Sequence, residues 1–177
     1  MSQEYVILVN QAGERQGLAE KMQAHRDGRL HLAFSVLLYR QAASGLEFLL
    51  QQRALGKYHS GGLWTNTCCS HPRDGESLQQ AAIRRLGEEM GIREVAQLEE
   101  VACFIYRAEL DNDLTEHELD YVLVAETSAL QIVPNPDEVM ACRWWPQAEL
   151  TAGLETHPEQ FTAWFSQVYH KVLASFE

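Results

Sequence analysis

The sequence predicts an α/β (α+β) fold, a mixed β-sheet flanked by helices, as a single domain over residues 1–177. Three observations carry that expectation. Strand-like runs lie both before and after one strongly amphipathic helix at 77–91. No internal repeat, charge block or Ser/Pro linker divides the chain. A composition of 46% hydrophobic and 22% charged residues over 177 positions is that of a globular chain able to bury its own core without disulfides.

The elements follow in order. Residues 5–9, YVILV, read as a first strand, and 18–25, LAEKMQAH, as a short helix ending near Asp27-Gly28. Residues 30–40 and 46–52 form a hairpin across the turn-rich QAASG. A glycine-rich, partly basic loop, RALGKYHSGGLW (53–64), runs into an extended TNTCCSH. The helix at 77–91 starts on a capping box of Ser77 and Gln80 and stops at Gly91. Strands follow at 99–109, 117–126 and 139–144. Residues 158–173 read as a helix whose stripe is Phe161, Trp164, Phe165, Val168, Tyr169 and Val172.

The formal charge of −11 argues against a general nucleic-acid or anionic-membrane binder, because such affinity depends on excess Lys and Arg. A small anionic ligand would need a local basic pocket or bound cations. The N-terminal MSQEYVILVNQAG reads as neither a signal nor a transit peptide. No run approaches the ~18 apolar residues of a membrane span, so a cytoplasmic location is expected. Cys68, Cys69, Cys103 and Cys142 contain no CxxC spacing, which points to reduced thiols.

Strand alternation puts residues i and i+2 on one face. Glu116 and Glu118 have that spacing, as do Cys69 and His71, while His25 and His31 flank a turn and can converge. Three imidazoles and two carboxylates suit Mn, Mg, Zn or Fe with one position left open. Each histidine taken singly is more often a partly exposed surface residue, and spacing alone does not separate the two readings. The helix at 77–91 says more. Its stripe of Leu78, Ala81, Ala82 and Leu86 has Arg85 and Glu89 near the centre, one turn apart. Burying such charges costs several kcal/mol unless they are paired or bound to ions. A wet i,i+4 salt bridge worth ~0.5 kcal/mol is the bland alternative; a pocket wall for cations and phosphates is the functional one.

Residues 70–92, SHPRDGESLQQAAIRRLGEEMGI, resemble the Nudix box. Glu76, Arg84, Leu86, Glu88, Glu89, Gly91 and Ile92 match, whereas Ser70 stands for the first Gly and Arg85 for a box Glu. In that family the missing Glu is a magnesium ligand, so its loss counts against diphosphate hydrolysis. RLHLAFSVLLY (29–39), RALGKYHSGGLWTNTCCSHP (53–72), the helix, and the Glu-x-Glu at 116–118 together are similar to type I isopentenyl-diphosphate isomerases, from about Tyr5 to Trp164.

The resemblance implies roles residue by residue. His25, His31, His71, Glu116 and Glu118 would bind one divalent ion, Mn2+ or Mg2+, with Zn2+ a further candidate. Cys69 would be the catalytic thiol and Glu118 its partner, with Tyr106 within hydrogen-bond reach of either. Glu89 and the Cys69 carbonyl would bind a second Mg2+ arriving with the diphosphate. Lys21, Arg53, Lys57 and Arg85 would contact the diphosphate and Trp164 would cover the hydrocarbon. The implied partner is a small isoprenoid diphosphate, with no nucleic acid or membrane, acting on a monomer or weak homodimer. A Nudix diphosphate hydrolase and an inactive metal- or phosphate-binding module remain the alternatives. Cys68, Cys103 and Cys142 read as core residues. Of Trp144 and Trp145 one is expected in the core. His59, His117, His157 and His170 match no motif and read as surface.

Overall fold

The computed structural model describes residues 3–177. Its spine is strand β3 (His31–Ala42), which pairs antiparallel with β1 (Tyr5–Val9), β4 (Gly45–Arg53) and β6 (Cys68–Ser70), and parallel with β8 (Thr115–Glu126). The mixed sheet extends from β1 to β2 (Arg15–Glu20), from β8 to β7 (Glu99–Glu109), and from β4 to β5 (Trp64–Thr65) and β9 (Val139–Pro146). The expected α+β architecture is present: four helices accompany this nine-stranded sheet.

The alternation of β3 builds two cores, one on each face. Phe34, Val36 and Leu38 pack against Ala81, Ala82, Leu86 and Met90 of α2 (Leu78–Met90). Leu37 points the other way, into a cluster with Phe165, Val168, Tyr169 and Val172 of α4 (Phe165–Ser175). Burying each such side chain is worth roughly 1.5–3 kcal/mol. Helix α2 carries both predicted caps. Ser77 and Gln80 bond reciprocally at its start, and Gly91 at φ 64° ends it. That left-handed turn suits glycine, and an added Cβ would lie 2.5 Å from the Val133 carbonyl oxygen.

Several expectations need correction. Residues 18–20, expected as the start of the helix at 18–25, instead complete strand β2 (Arg15–Glu20), so α1 spans Lys21–Asp27, ending on left-handed Gly28. RQGLAE lacks an alternating apolar pattern; it is a strand because β1 lies beside it. Helix α3 (Gln147–Thr156) was not foreseen, since it buries only Leu150 and has a weak apolar stripe. The helix expected at 158–173 is broken. Pro158–Gln160 forms a 3-10 turn, Phe161 bridges to Trp64, and α4 begins at Phe165. The aromatic stripe nevertheless faces the core. Cys68 is buried as expected, but Cys103 is exposed on β7, which pairs at one edge only. Trp145 is in the core, while Trp144 is half-buried beneath Arg40, 4.2 Å from its guanidinium.

Candidate active site

The parallel register of β3 and β8 sets His31 opposite Glu118, and the antiparallel register of β7 sets Tyr106 opposite Glu118 from the other side. Strand β6 pairs Cys69 with Ser35 of β3 and leads directly to His71. Helix α1 presents His25 from above the same end, 5.1 Å from the His31 ring and 5.8 Å from that of His71. Distant segments therefore converge because one strand, β3, neighbours β8 and β6 together.

The tautomers are set from outside the cluster. His25 Nδ1 donates to the Lys21 carbonyl at 2.7 Å and His31 Nδ1 to the Arg29 carbonyl at 2.9 Å. A carbonyl only accepts, so each Nε2 is a bare lone pair turned inward. His31 Nε2 lies 3.3 Å and His71 Nε2 2.8 Å from Glu118 Oε2. Donor atoms of His25, His31, His71 and Glu118 lie within 4.8 Å of one another, and so do those of His25, His59 and Glu116. His25 Nε2, His59 Nε2 and Glu116 Oε2 are buried with no hydrogen-bond partner. Leaving such groups unmet costs about 1–3 kcal/mol each. Neutral imidazoles and carboxylates crowded with bare lone pairs fit a divalent cation, which satisfies them together.

The electrostatics agree. Burial pushes the His71 imidazole down to about 4, with Glu118 opposing, and that of His59 down to about 2, with Arg53 adding to the effect. His25 is lowered by burial as well. Burial and the neighbouring Glu118 raise Glu116 well above the carboxylate range. Burial acts to raise Glu118 too, but the adjoining His31 and His71 imidazoles outweigh it and hold it low. Asp120, next on this face of β8, is raised by burial and by Glu118, and accepts a 2.8 Å bond from Ser35 Oγ.

Cys69, Glu116, Glu118 and His71 line one inner cavity with Lys21, Arg53, Lys57, Arg85 and Trp164. All four expected cations and the expected aromatic thus share its wall. The cavity has a volume of about 40 Å³, too small for a five-carbon chain with a diphosphate. A groove of about 520 Å³ adjoins it across Glu4, Lys21, Ser70, His71 and Arg85. Burial raises the Cys69 thiol, keeping it protonated. Arg53 is buried and donates to the His59 carbonyl at 3.0 and 3.3 Å. Trp164 Nε1 donates to Asn66 Oδ1 at 3.2 Å, fixing the indole. Lys21 pairs with Glu4 at 2.7 Å, Lys57 with Glu138, and Arg85 with Glu88, Glu89 and Glu138 at 3.3–3.6 Å.

Some positions differ from expectation. Tyr106 Oη bonds neither Glu118 nor Cys69; it is buried without a partner, and burial raises its pKa. Glu89 accepts from Cys68 Sγ at 2.8 Å, so Cys68 does more than fill space. Glu89 pairs with Arg85 at 3.4 Å and is not among the lining residues of the cavity. Glu76, Arg84 and Glu88 join in an ion-pair chain at 2.7–2.9 Å that braces α2. His59 is buried to 1% exposure, not on the surface, and His117 is half-buried, bonded to the Gly28 carbonyl at 3.1 Å. Nothing periodic in KYHSGG foretold the burial of His59.

The Nudix-domain pattern matches residues 29–165. An isopentenyl-diphosphate Delta-isomerase of Photobacterium profundum is 64% identical over 171 residues, covering 97% of this chain and 95% of that protein. One from Aliivibrio fischeri strain MJ11 is 52% identical over 172 residues, covering 96% and 95%. Among solved structures, DR0079 of Deinococcus radiodurans superimposes with a TM-score of 0.71 at 16% identity, covering 94% of this chain and 98% of that one. A MutT protein from Methanosarcina mazei gives 0.64 at 17%, covering 84% and 96%. At those identities the structures share the fold alone.

Proposed function

This chain belongs to the Nudix-domain family and, within it, to the isopentenyl-diphosphate Delta-isomerases, and from that membership we propose how its side chains carry out the reaction. The activity is the reversible 1,3-allylic rearrangement of isopentenyl diphosphate to dimethylallyl diphosphate. Protonating the terminal methylene makes a tertiary carbocation, and losing a proton from the carbon on the other side of the branch completes the shift. An alkene is a very weak base, so the cation is high in energy and must be shielded from water.

Cys69 and Glu118 exchange the two protons, one delivering and one removing. The support is that both line one small cavity together with four cations able to hold a diphosphate. His25, His31, His71, Glu116 and Glu118 hold a divalent ion, Mn2+, Mg2+ or Zn2+, which when bound fixes the carboxylate of Glu118 and tunes its proton affinity. Lys21, Arg53, Lys57 and Arg85 bind the diphosphate, with Mg2+ accompanying it near Glu89. Trp164 turns its ring to the hydrocarbon, an interaction worth up to ~2 kcal/mol with a desolvated cation. Tyr106, 6.2 Å from Trp164 between ring centres, stiffens that wall.

Hydrolysis of a diphosphate is the other Nudix chemistry, and Arg85 disfavours it. It places a cation where hydrolysis needs a metal-binding carboxylate, and it pairs with Glu88, Glu89 and Glu138. Proton NMR of isopentenyl diphosphate with the protein and Mg2+ separates the two. Dimethylallyl diphosphate and solvent deuterium in the product are expected; released phosphate without isomerisation would overturn the assignment.

A further inference from the structure

The five expected ligands leave one buried imidazole beside the ion cluster without a task. His59 Nε2 lies 3.5 Å from Glu116 Oε2, and its ring centre 5.9 Å from that of His25. These three residues are the second donor group of the cluster, and their inward atoms have no partner. By contrast the inward atoms of His31, His71 and Glu118 lie within 3.3 Å of one another. The unmet groups are thus concentrated on the His59 side.

The position of His59 is built. Arg53 holds its carbonyl, Asn112 Nδ2 donates to the Tyr58 carbonyl at 3.2 Å, and Asp111 Oδ1 accepts from the Ser60 amide at 3.0 Å. Ser60 sits at φ 55°, a left-handed conformation uncommon for a non-glycine residue. Such strain persists where the surroundings over-determine it. Ser60 Oγ lies 3.0 Å from His59 Nδ1, and with Nδ1 donating to that hydroxyl Nε2 is the free lone pair.

We propose that His59 is a ligand of the same divalent ion, making the centre one of four imidazoles and two carboxylates. His25 Nε2 has a single lone pair, so the two donor groups that share it describe one ion. Six protein donors would fill an octahedral ion's positions, so the ion would serve by fixing its protein ligands, Glu118 among them, which suits a cavity where a carbocation must survive.

This inference rests on the proposed ion centre, and one experiment distinguishes their failures. Protein labelled with 15N-histidine is titrated with Zn2+ and followed by NMR, while calorimetry gives the affinity. Four imidazole Nε2 resonances are expected to shift on binding in the wild type. His59→Gln is expected to shift three, with affinity at least about ten-fold weaker, the scale on which lost metal-site groups act. Three shifted resonances in the wild type would overturn the role of His59 while keeping the centre. No saturable Zn2+ binding would overturn the centre itself. Should His59→Gln fail to fold by circular dichroism, the wild-type count decides alone.

Discussion

At the inner end of the cavity, His25, His59 and Glu116 each keep a buried polar atom unmet. At the outer end Lys21, Lys57 and Arg85 already have carboxylates of this chain beside them. The two ends therefore acquire their ligands differently. On the proposed assignment, an ion added to the inner end would relieve unmet groups, so binding and folding stability would rise together. On the same assignment, a diphosphate at the outer end would displace Glu4 and Glu138 from their cations, so its charge would be exchanged for theirs and the net gain would be smaller. The exchange also opens room in a cavity that is closed to about 40 Å³. Arg53 stands between the two ends, its guanidinium spent on the His59 carbonyl and 5.7 Å from the Trp164 ring.

The most severe test removes the thiol that lines the cavity. Cys69→Ala is expected to lose about 10³-fold in turnover, within the range of general acid–base catalysis, while ion binding and substrate affinity stay intact. Steady-state rates with calorimetry check it, and full activity would sink the assigned role.

Chelation should act on the inner end. With ion at about 100 times its Kd, its removal forfeits about 2.7 kcal/mol, a fall of about 5–10 °C in Tm by scanning calorimetry. An unchanged Tm would mean that the inner cluster carries no ion.

Acid should act on the same end of the ion-free protein. His71 has a folded pKa of about 4 against about 6.5 unfolded. The unfolded chain therefore binds the proton first as pH falls. The stability this depressed imidazole contributes is present above about 6.5 and is lost toward 4. Between about pH 7 and about pH 5 this amounts to about 2 kcal/mol from His71, with His25 and His59 shifted in the same direction. Denaturant melts at the two pH values measure it; equal midpoints would show that the histidines are not buried neutral.

At the outer end, Arg85→Glu is expected to raise KM about ten-fold or more, the equivalent of about 1.4 kcal/mol, and to lower Tm, because it sets a fourth carboxylate beside Glu88, Glu89 and Glu138. An unchanged KM would count against diphosphate binding there. The mildest change sharpens the exchange argument. Glu138→Gln frees Lys57 and Arg85, and a KM lower by about two- to five-fold is expected, since partly exposed ion pairs are worth about 0–1 kcal/mol. A higher KM would show that Glu138 serves the ligand directly.

Much of the frame was readable in advance. Strands Tyr5–Val9 and Glu99–Glu109 follow the expected residues, and α2 has both caps. These are short-range properties: alternation, a reciprocal cap bond, a left-handed glycine. Strand β2 and α3 were missed because their apolar patterns are weak and neighbours stabilise them. The motif residues were legible as types, with Glu116 and Glu118 sharing a strand face. Their convergence was legible only through resemblance.

The sequence by itself determined the periodic elements, the caps and the stock of ligands, thiol and cations, because those depend on residues within a turn or two of one another. Tertiary structure decided which of them meet. His59 is buried because Asp111 and Asn112, more than fifty positions along the chain, hold its loop down. Lys57 finds Glu138 across 81 positions, and Glu118 faces His31 across 87. Such contacts follow from strand register and chain crossing, which no local pattern encodes.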